Sequence, residues 1–245
     1  KPEAVNRWKS LDNMMEIGEV KTFLGLEEDK EGPFDIVILP IPYEMTTSYR
    51  EGTEFGPEAC INASTQVEIN DELLESELPC GFKIHTSKPW DNDVSSLKEA
   101  LVSITNFSTP WMNGEQFPII LGGEHGLLLP LIEAVKEHPS INRELQKLTI
   151  VQIDAHADLR DELNGEKFSH GTVIRRALDA GVGNVIQIGV RTYSSEEEEI
   201  IQNDERVRTW FARDLIKVNP NLSDWDLMID EIKRIEGPIW LTFDI

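Results

Sequence analysis

Cysteine is nearly absent: Cys60 and Cys80 are the two in the chain. Two isolated thiols make neither a disulfide framework nor a cysteine metal site, and they fit a reducing compartment. Positive charge is also scarce. Lysine and arginine total 23 against 45 aspartates and glutamates, a formal charge of -22. Without basic clusters the chain lacks the phosphate-contacting surface that nucleic-acid binding needs. No apolar run approaches the roughly 18 residues of a membrane span, and no signal-peptide pattern opens the sequence. From these absences we expect a soluble, cytoplasmic protein with neither a nucleic-acid nor a membrane partner. A Gly-x-Ser-x-Gly elbow is missing too, which argues against a hydrolase with a serine nucleophile.

What is present is ordinary globular composition, 40% hydrophobic and 28% charged over 245 residues. That is enough for one large domain, and no repeat or linker divides it. Short apolar runs at 34–40, 117–121, 148–153, 184–190, 207–211 and 239–243 read as buried strands. Helical periods are predicted over 56–63, 94–107, 127–137, 172–180, 195–202 and 224–235, together with a partly helical lead-in before residue 25. The acidic stretch 27–31 reads as a loop, and 65–92 as irregular. Alternation of this kind predicts an α/β fold with three α/β/α layers around a mostly parallel sheet. In that architecture ligands gather beyond the carboxyl ends of the strands.

Metal-ligating side chains stand at three such ends. His125 follows the strand 117–121 through a Gly-Gly turn. Asp154, His156 and Asp158 follow 148–153, and Asp244 follows 239–243. If the extended chain persists past Ile153, residues 154, 156 and 158 project to one side. Three carboxylates and two imidazoles exceed the needs of one tetrahedral ion and suit two adjacent ions with bridging carboxylates. The oxygen-rich donor set favours Mn²⁺ over Zn²⁺. Such a pair activates water, which is hydrolytic chemistry.

These residues resemble the ureohydrolases, the family of arginase, agmatinase and related amidinohydrolases. The resemblance rests on Gly122-Gly-Glu-His125, Asp154-Ala-His-Ala-Asp158, Ser169-His-Gly171 and Thr242-Phe-Asp-Ile245. Thr47-Ser-Tyr-Arg50, Gly56-Pro57 and Gln187-Ile-Gly-Val-Arg191 also match, and the loop from Asp158 to His170 is closer to agmatinases. The resemblance implies the arginase-like form of the α/β fold. It implies that His125 and Asp158 serve a first Mn²⁺, His156 a second, and that Asp154 and Asp244 bridge the two. A hydroxide held between the ions would attack the guanidinium carbon, with Asp158 accepting its hydrogen bond. His170 would contact the substrate at the mouth of the site and pass a proton to the leaving amine.

The expected substrate is a small cationic guanidine, foremost agmatine giving putrescine and urea, in a homo-oligomer (trimer or hexamer). Arginine, guanidinobutyrate or formiminoglutamate would use the same metal core, and a non-catalytic binding or assembly subunit is the alternative. This sequence departs from the family at Glu124 and Gly126, where Asp and Ser are more frequent. The last motif breaks off at Ile245, where the family continues with an Asp for the second ion and later a Glu for the guanidinium. By that resemblance, residues 1–245 are a single ureohydrolase domain without its C-terminal part, and the second metal site is incomplete.

Overall fold

The computed structural model describes residues 21–27, 32–216 and 223–245. The predicted lead-in helix before residue 21 and the acidic residues 28–31 lie outside the described residues. Strand β1 (Ile36–Ile41) is buried along nearly its whole length and is followed by a long loop and helix α1 (Gly56–Ser64), which starts with Pro57 in its first turn. A two-residue hairpin, β2 (Asn70–Asp71) with β3 (Ser76–Glu77), leads to β4 (Ile84–Thr86). These three replace the irregular stretch expected at 65–92. Their brevity explains the miss, since three residues are too few to show a period.

Helix α2 (Leu97–Ser108) opens on Ser96, whose hydroxyl accepts the Glu99 N–H. Strand β5 (Phe117–Gly122) runs through a 3₁₀ turn at His125–Leu127 into α3 (Leu128–Val135). Strand β6 (Thr149–Ile153), helix α4 (Val173–Asp179) and β7 (Asn184–Val190) follow. Then come α5 (Ser195–Asn203), β8 (Val207–Phe211), a short α6 (Ala212–Leu215), α7 (Asp224–Lys233) and β9 (Ile239–Phe243).

The seven longer-range strands form two parallel sheets among the described residues rather than one, in the orders β4-β1-β5 and β8-β7-β6-β9. Helices pack on both faces of β6 and β7, while Phe117 of β5 and Leu241 and Phe243 of β9 stay exposed. Along β6 and β7 the side chains alternate between two cores: Ile150 and Val185 join the larger, with Leu131, Ile174 and Leu178 of the helices. Val151, Ile186 and Ile188 join the smaller, with Met228 of α7. The larger core also takes in Ile41 of β1, so it ties the two sheets together. No helix among the described residues is long and apolar enough to cross a membrane.

Every parallel strand points its carboxyl end the same way within its sheet, and the chain stays ordered just beyond those ends. The Gly123 N–H donates to the Ile41 carbonyl and the Glu124 N–H to the Tyr43 carbonyl, so pairing of β1 with β5 continues through the turn before His125. Likewise the Asp154 N–H donates to Ile188 and the Asp244 N–H to Ile153. This close approach demands glycine at 123, where a Cβ would lie 2.2 Å from the Tyr43 carbonyl oxygen. Gly123→Ala is expected to destabilise the fold by roughly 1–3 kcal/mol through backbone displacement. A urea unfolding midpoint equal to that of the parent protein would contradict this packing.

Candidate metal centre

His125 leaves β5 on the Gly-Gly turn and meets the ends of β6 and β9. Its Nδ1 lies 2.8 Å from Asp158 Oδ2, 3.4 Å from Asp154 Oδ2 and 3.8 Å from Asp244 Oδ2. His125, Asp154 and Asp158 present ligand atoms within 4.8 Å of one another. The other ring nitrogen, Nε2, is 3.0 Å from the Thr242 hydroxyl. A histidine ligand is commonly oriented in this way, by a partner on the nitrogen that faces away from the ion.

The electrostatics fit a cation at that point. Burial works against charge on His125, but its hydrogen bonds to Asp154 and Asp158 and the charges of Asp158 and Asp244 outweigh it and raise its pKa to about 10. Burial likewise pushes the Asp158 carboxyl up to about 6, against the hydrogen bond and charge of His125. It also raises Asp244, where the charge of His125 again opposes the shift. Asp154 is lowered: burial alone would raise it, but hydrogen bonds from His125, the His156 N–H and Gln152 prevail. A proton on Nδ1 thus occupies the place where carboxylate oxygens from two strands converge, and oxygen with imidazole nitrogen is a donor set suited to Mn²⁺ or a similar ion.

His156 takes a different place. Its side chain is 61% exposed, with Nδ1 3.3 Å from Asp154 Oδ1, whereas Asp154 and Asp158 are buried. The expectation that 154, 156 and 158 project together from one extended strand is therefore corrected. β6 ends at Ile153, His156 forms an isolated bridge with Thr192, and Asp158 adopts a left-handed φ of 53°. That conformation is uncommon for a residue with a side chain, though less costly for Asp than for most. It is held by the Ile174 and Arg175 N–H groups, which both donate to the Asp158 carbonyl. Asp154 keeps one oxygen toward each histidine.

His170 stands in a 3₁₀ turn ahead of α4, and that turn packs against the one that bears His125. Its Nδ1 is 3.3 Å from the Thr46 hydroxyl and its Nε2 is 3.4 Å from the Ser48 hydroxyl, so it belongs to the long loop after β1. The turn Asn164-Gly165, with φ of 54° and 81°, folds the intervening segment back as a tight hairpin between Leu163 and Glu166.

Reading the sequence missed the polar chain beneath the acids. Gln152 is fully buried and donates through Nε2 to Asp154 Oδ2 at 2.9 Å, with Asp158 Oδ2 at 3.4 Å. Gln187 Nε2 donates to Gln152 Oε1 and to the Ala157 carbonyl, both at 2.7 Å, and Thr209 donates to Gln187 Oε1 at 2.8 Å. A glutamine inside each of two otherwise apolar strands was the available signal, because a buried amide needs partners. A cavity of about 600 Å³ lies elsewhere, beside Thr149, Asn184 and Pro238 at the amino ends of the strands. With Glu236 its one carboxylate and no histidine, it lacks the convergent donors, and we place the chemistry at His125.

Two outcomes are expected. Gln152→Leu removes the donor to both acids and leaves the Gln187 amide short of an acceptor, so divalent-cation affinity should fall about 10- to 100-fold with the fold retained. Titration calorimetry with Mn²⁺ measures it, and undiminished affinity would remove Gln152 from any supporting role. Because the His125 proton must leave before a cation binds, affinity should rise with pH from neutrality toward 10, by up to about tenfold per unit, with proton release. A pH-independent affinity would mean that Nδ1 is not a donor.

Comparison with known proteins agrees with the geometry. The sequence is 36% identical over 191 residues to N(1)-aminopropylagmatine ureohydrolase of Synechocystis sp., covering 76% of this chain and 60% of that protein. It is 29% identical over 232 residues to agmatinase of Bacillus cereus, covering 92% and 71%. The fold superposes on proclavaminate amidino hydrolase from Streptomyces clavuligerus with a TM-score of 0.77 at 21% identity, over 93% of this chain and 74% of that one. The chain thus spans less than two thirds of the length of the Synechocystis relative. A sequence model described as the Arginase family matches residues 34–245, and by that match, joined to the meeting of three strand ends at His125, the chain belongs to the arginase family.

Proposed function

We propose that this chain carries the catalytic core of a metal-dependent guanidine hydrolase, with agmatine as the leading substrate and putrescine and urea as products. The observation that carries the reading is the convergence of Asp154, Asp158 and Asp244 on the buried Nδ1 of His125. Like charges gathered this closely, with Asp154 and Asp158 buried, need a cation among them. His125, Asp154, Asp158 and Asp244 would hold one divalent ion, and His156 with the outer oxygen of Asp154 would contribute to a second. The ions, Mn²⁺ by the nature of the donors, supply when bound a water acidic enough to act as nucleophile near neutral pH.

The protein's own groups complete the chemistry. Asp158 accepts a hydrogen bond from the attacking water and orients it toward the guanidinium carbon. His170, on the rim formed with Thr46 and Ser48, takes up on Nε2 a proton released by the attacking water and passes it to the amine as the carbon–nitrogen bond breaks. Gln152 and Thr242 keep the acids and His125 in place. Aminopropylagmatine is a second candidate substrate, favoured by the Synechocystis protein's name. It differs from agmatine by an aminopropyl extension, so the loop between β1 and α1 is where the choice would be made.

Urea release by the complete protein, loaded with Mn²⁺, from agmatine, aminopropylagmatine, arginine and guanidinobutyrate ranks these substrates directly. Release from none of them sinks the enzyme reading in favour of a binding or assembly subunit. His125→Ala and Asp158→Ala should each abolish release together with metal retention. His170→Ala should lower turnover by about 100-fold while bound metal stays near the parent level; loss of metal in that variant would show that the proton-transfer role is wrong.

A further inference from the structure

Glu124, next to His125, is only 3% exposed and makes its hydrogen bonds to the loop after β1. Its Oε2 accepts the N–H groups of Met45 and Thr46, at 2.8 and 2.7 Å, and its Oε1 accepts the Thr46 hydroxyl in a short contact. Thr46 passes the connection on: its Oγ1 accepts the His170 N–H at 3.2 Å and faces His170 Nδ1 at 3.3 Å. One side chain therefore joins the turn that bears His125 to the loop that seats His170.

The direction of the hydrogen bonds matters. A hydroxyl has one proton to give, and a carboxylate only accepts. With the Thr46 proton committed to Glu124, its oxygen can face His170 Nδ1 only as an acceptor. Nδ1 must then carry the ring proton, leaving the lone pair on Nε2, on the Ser48 side of the ring. The neutral imidazole is thereby fixed in one tautomer.

The space for this arrangement comes from Gly126. A Cβ there would lie 2.7 Å from Glu124 Oε1 and 3.1 Å from the Tyr43 ring. Tyr43 is fully buried and its hydroxyl has no hydrogen-bond partner, so the ring packs as a wall rather than a polar neighbour. Glutamate at 124 and a residue without a side chain at 126 are thus one feature. A longer acid reaches the loop because the position two residues on is empty. The other end of the loop is fastened independently, by Glu44 accepting the Gly52 and Glu54 N–H groups and the Thr53 hydroxyl.

We propose that Glu124 is a positioning residue for His170: acting through Thr46, and given room by Gly126, it fixes the proton on Nδ1 and presents Nε2 as the basic nitrogen. This rests on the reading above in which His170 serves the reaction, and it adds which nitrogen is available and what sets it.

The test is nitrogen-15 NMR of the histidine rings in the complete protein at a pH where His170 is neutral, assigned with His170→Ala. Amide hydrogen exchange at residues 45, 46 and 170 is followed alongside. In the parent and in Thr46→Ser, His170 should show a protonated Nδ1 and a bare Nε2. Glu124→Gln, which can donate where the acid cannot, and Thr46→Val should both move the proton toward Nε2. Exchange at the three amides should rise about tenfold or more in Glu124→Ala and Gly126→Ala, and Gly126→Ala should add little once Glu124 is shortened to Asp. Turnover of the guanidine substrate should drop at least about tenfold in Glu124→Gln at unchanged bound metal. An unmoved tautomer in both Glu124→Gln and Thr46→Val overturns the proposal. A parent protein that releases no urea yet shows the tautomer switch refutes the function and upholds the ring assignment, so the two failures are distinguishable.

Discussion

The constraint on which the rest of this structure depends is the crowding of like charge around one buried imidazole, with Asp154 and Asp158 buried and Asp244 partly open to solvent. Asp154, Asp158 and Asp244 come from two strands and crowd one imidazole at 2.8 to 3.8 Å. Such crowding persists only if positive charge sits among the acids, as a proton on His125 or as a metal ion in its place. The pKa of His125, raised to about 10, and that of Asp158, raised to about 6, are two expressions of this competition.

Holding such a cluster requires a scaffold that cannot relax away from it. Parallel strands supply the rigidity: β6, which leads to Asp154 and Asp158, lies between β7 and β9 and sends side chains into both cores. Within the sheet Gln152, Gln187 and Thr209 form a polar line, and their linked hydrogen bonds run under the acids. A polar chain of this kind is stable when every member has a partner, and it then restricts the orientations open to its terminal groups. Asp154 and Asp158 are those terminal groups, and their carboxylates are aimed from below by the amide of Gln152.

Loops supply what the strands cannot. The segment between β1 and α1 is fastened at one end by Glu124 and at the other by Glu44, leaving residues 48–51 exposed between the two fastenings. Tyr49 in this stretch is 86% exposed. A loop seated at both ends and exposed between them can change in sequence without disturbing the core beneath it. The coupling of Glu124 to Gly126 shows how far the rim reaches into the core, because a methyl group at 126 would press on an acid that seats His170.

The sequence by itself determined the strands that are long and apolar, the helices with clear periods and the identity of the groups at the strand ends. Burial of both strand faces leaves an unbroken hydrophobic run, and the abrupt change to Asp or His marks where the chain emerges. It could not show β4, which is three residues long, because its strand character comes from pairing with β1. Nor could spacing place His156: alternation predicted it with both acids on one face, whereas β6 ends at Ile153, and the imidazole stays exposed beside Asp154 while both acids are buried. The distances around His125, the support from Gln152 and Thr242, and the path from Glu124 to His170 were decided only by the tertiary structure. Apart from the contacts of Gln152 to the acids just after it, these join residues distant in the chain, and such a hydrogen bond exists only once packing has set their backbones within reach.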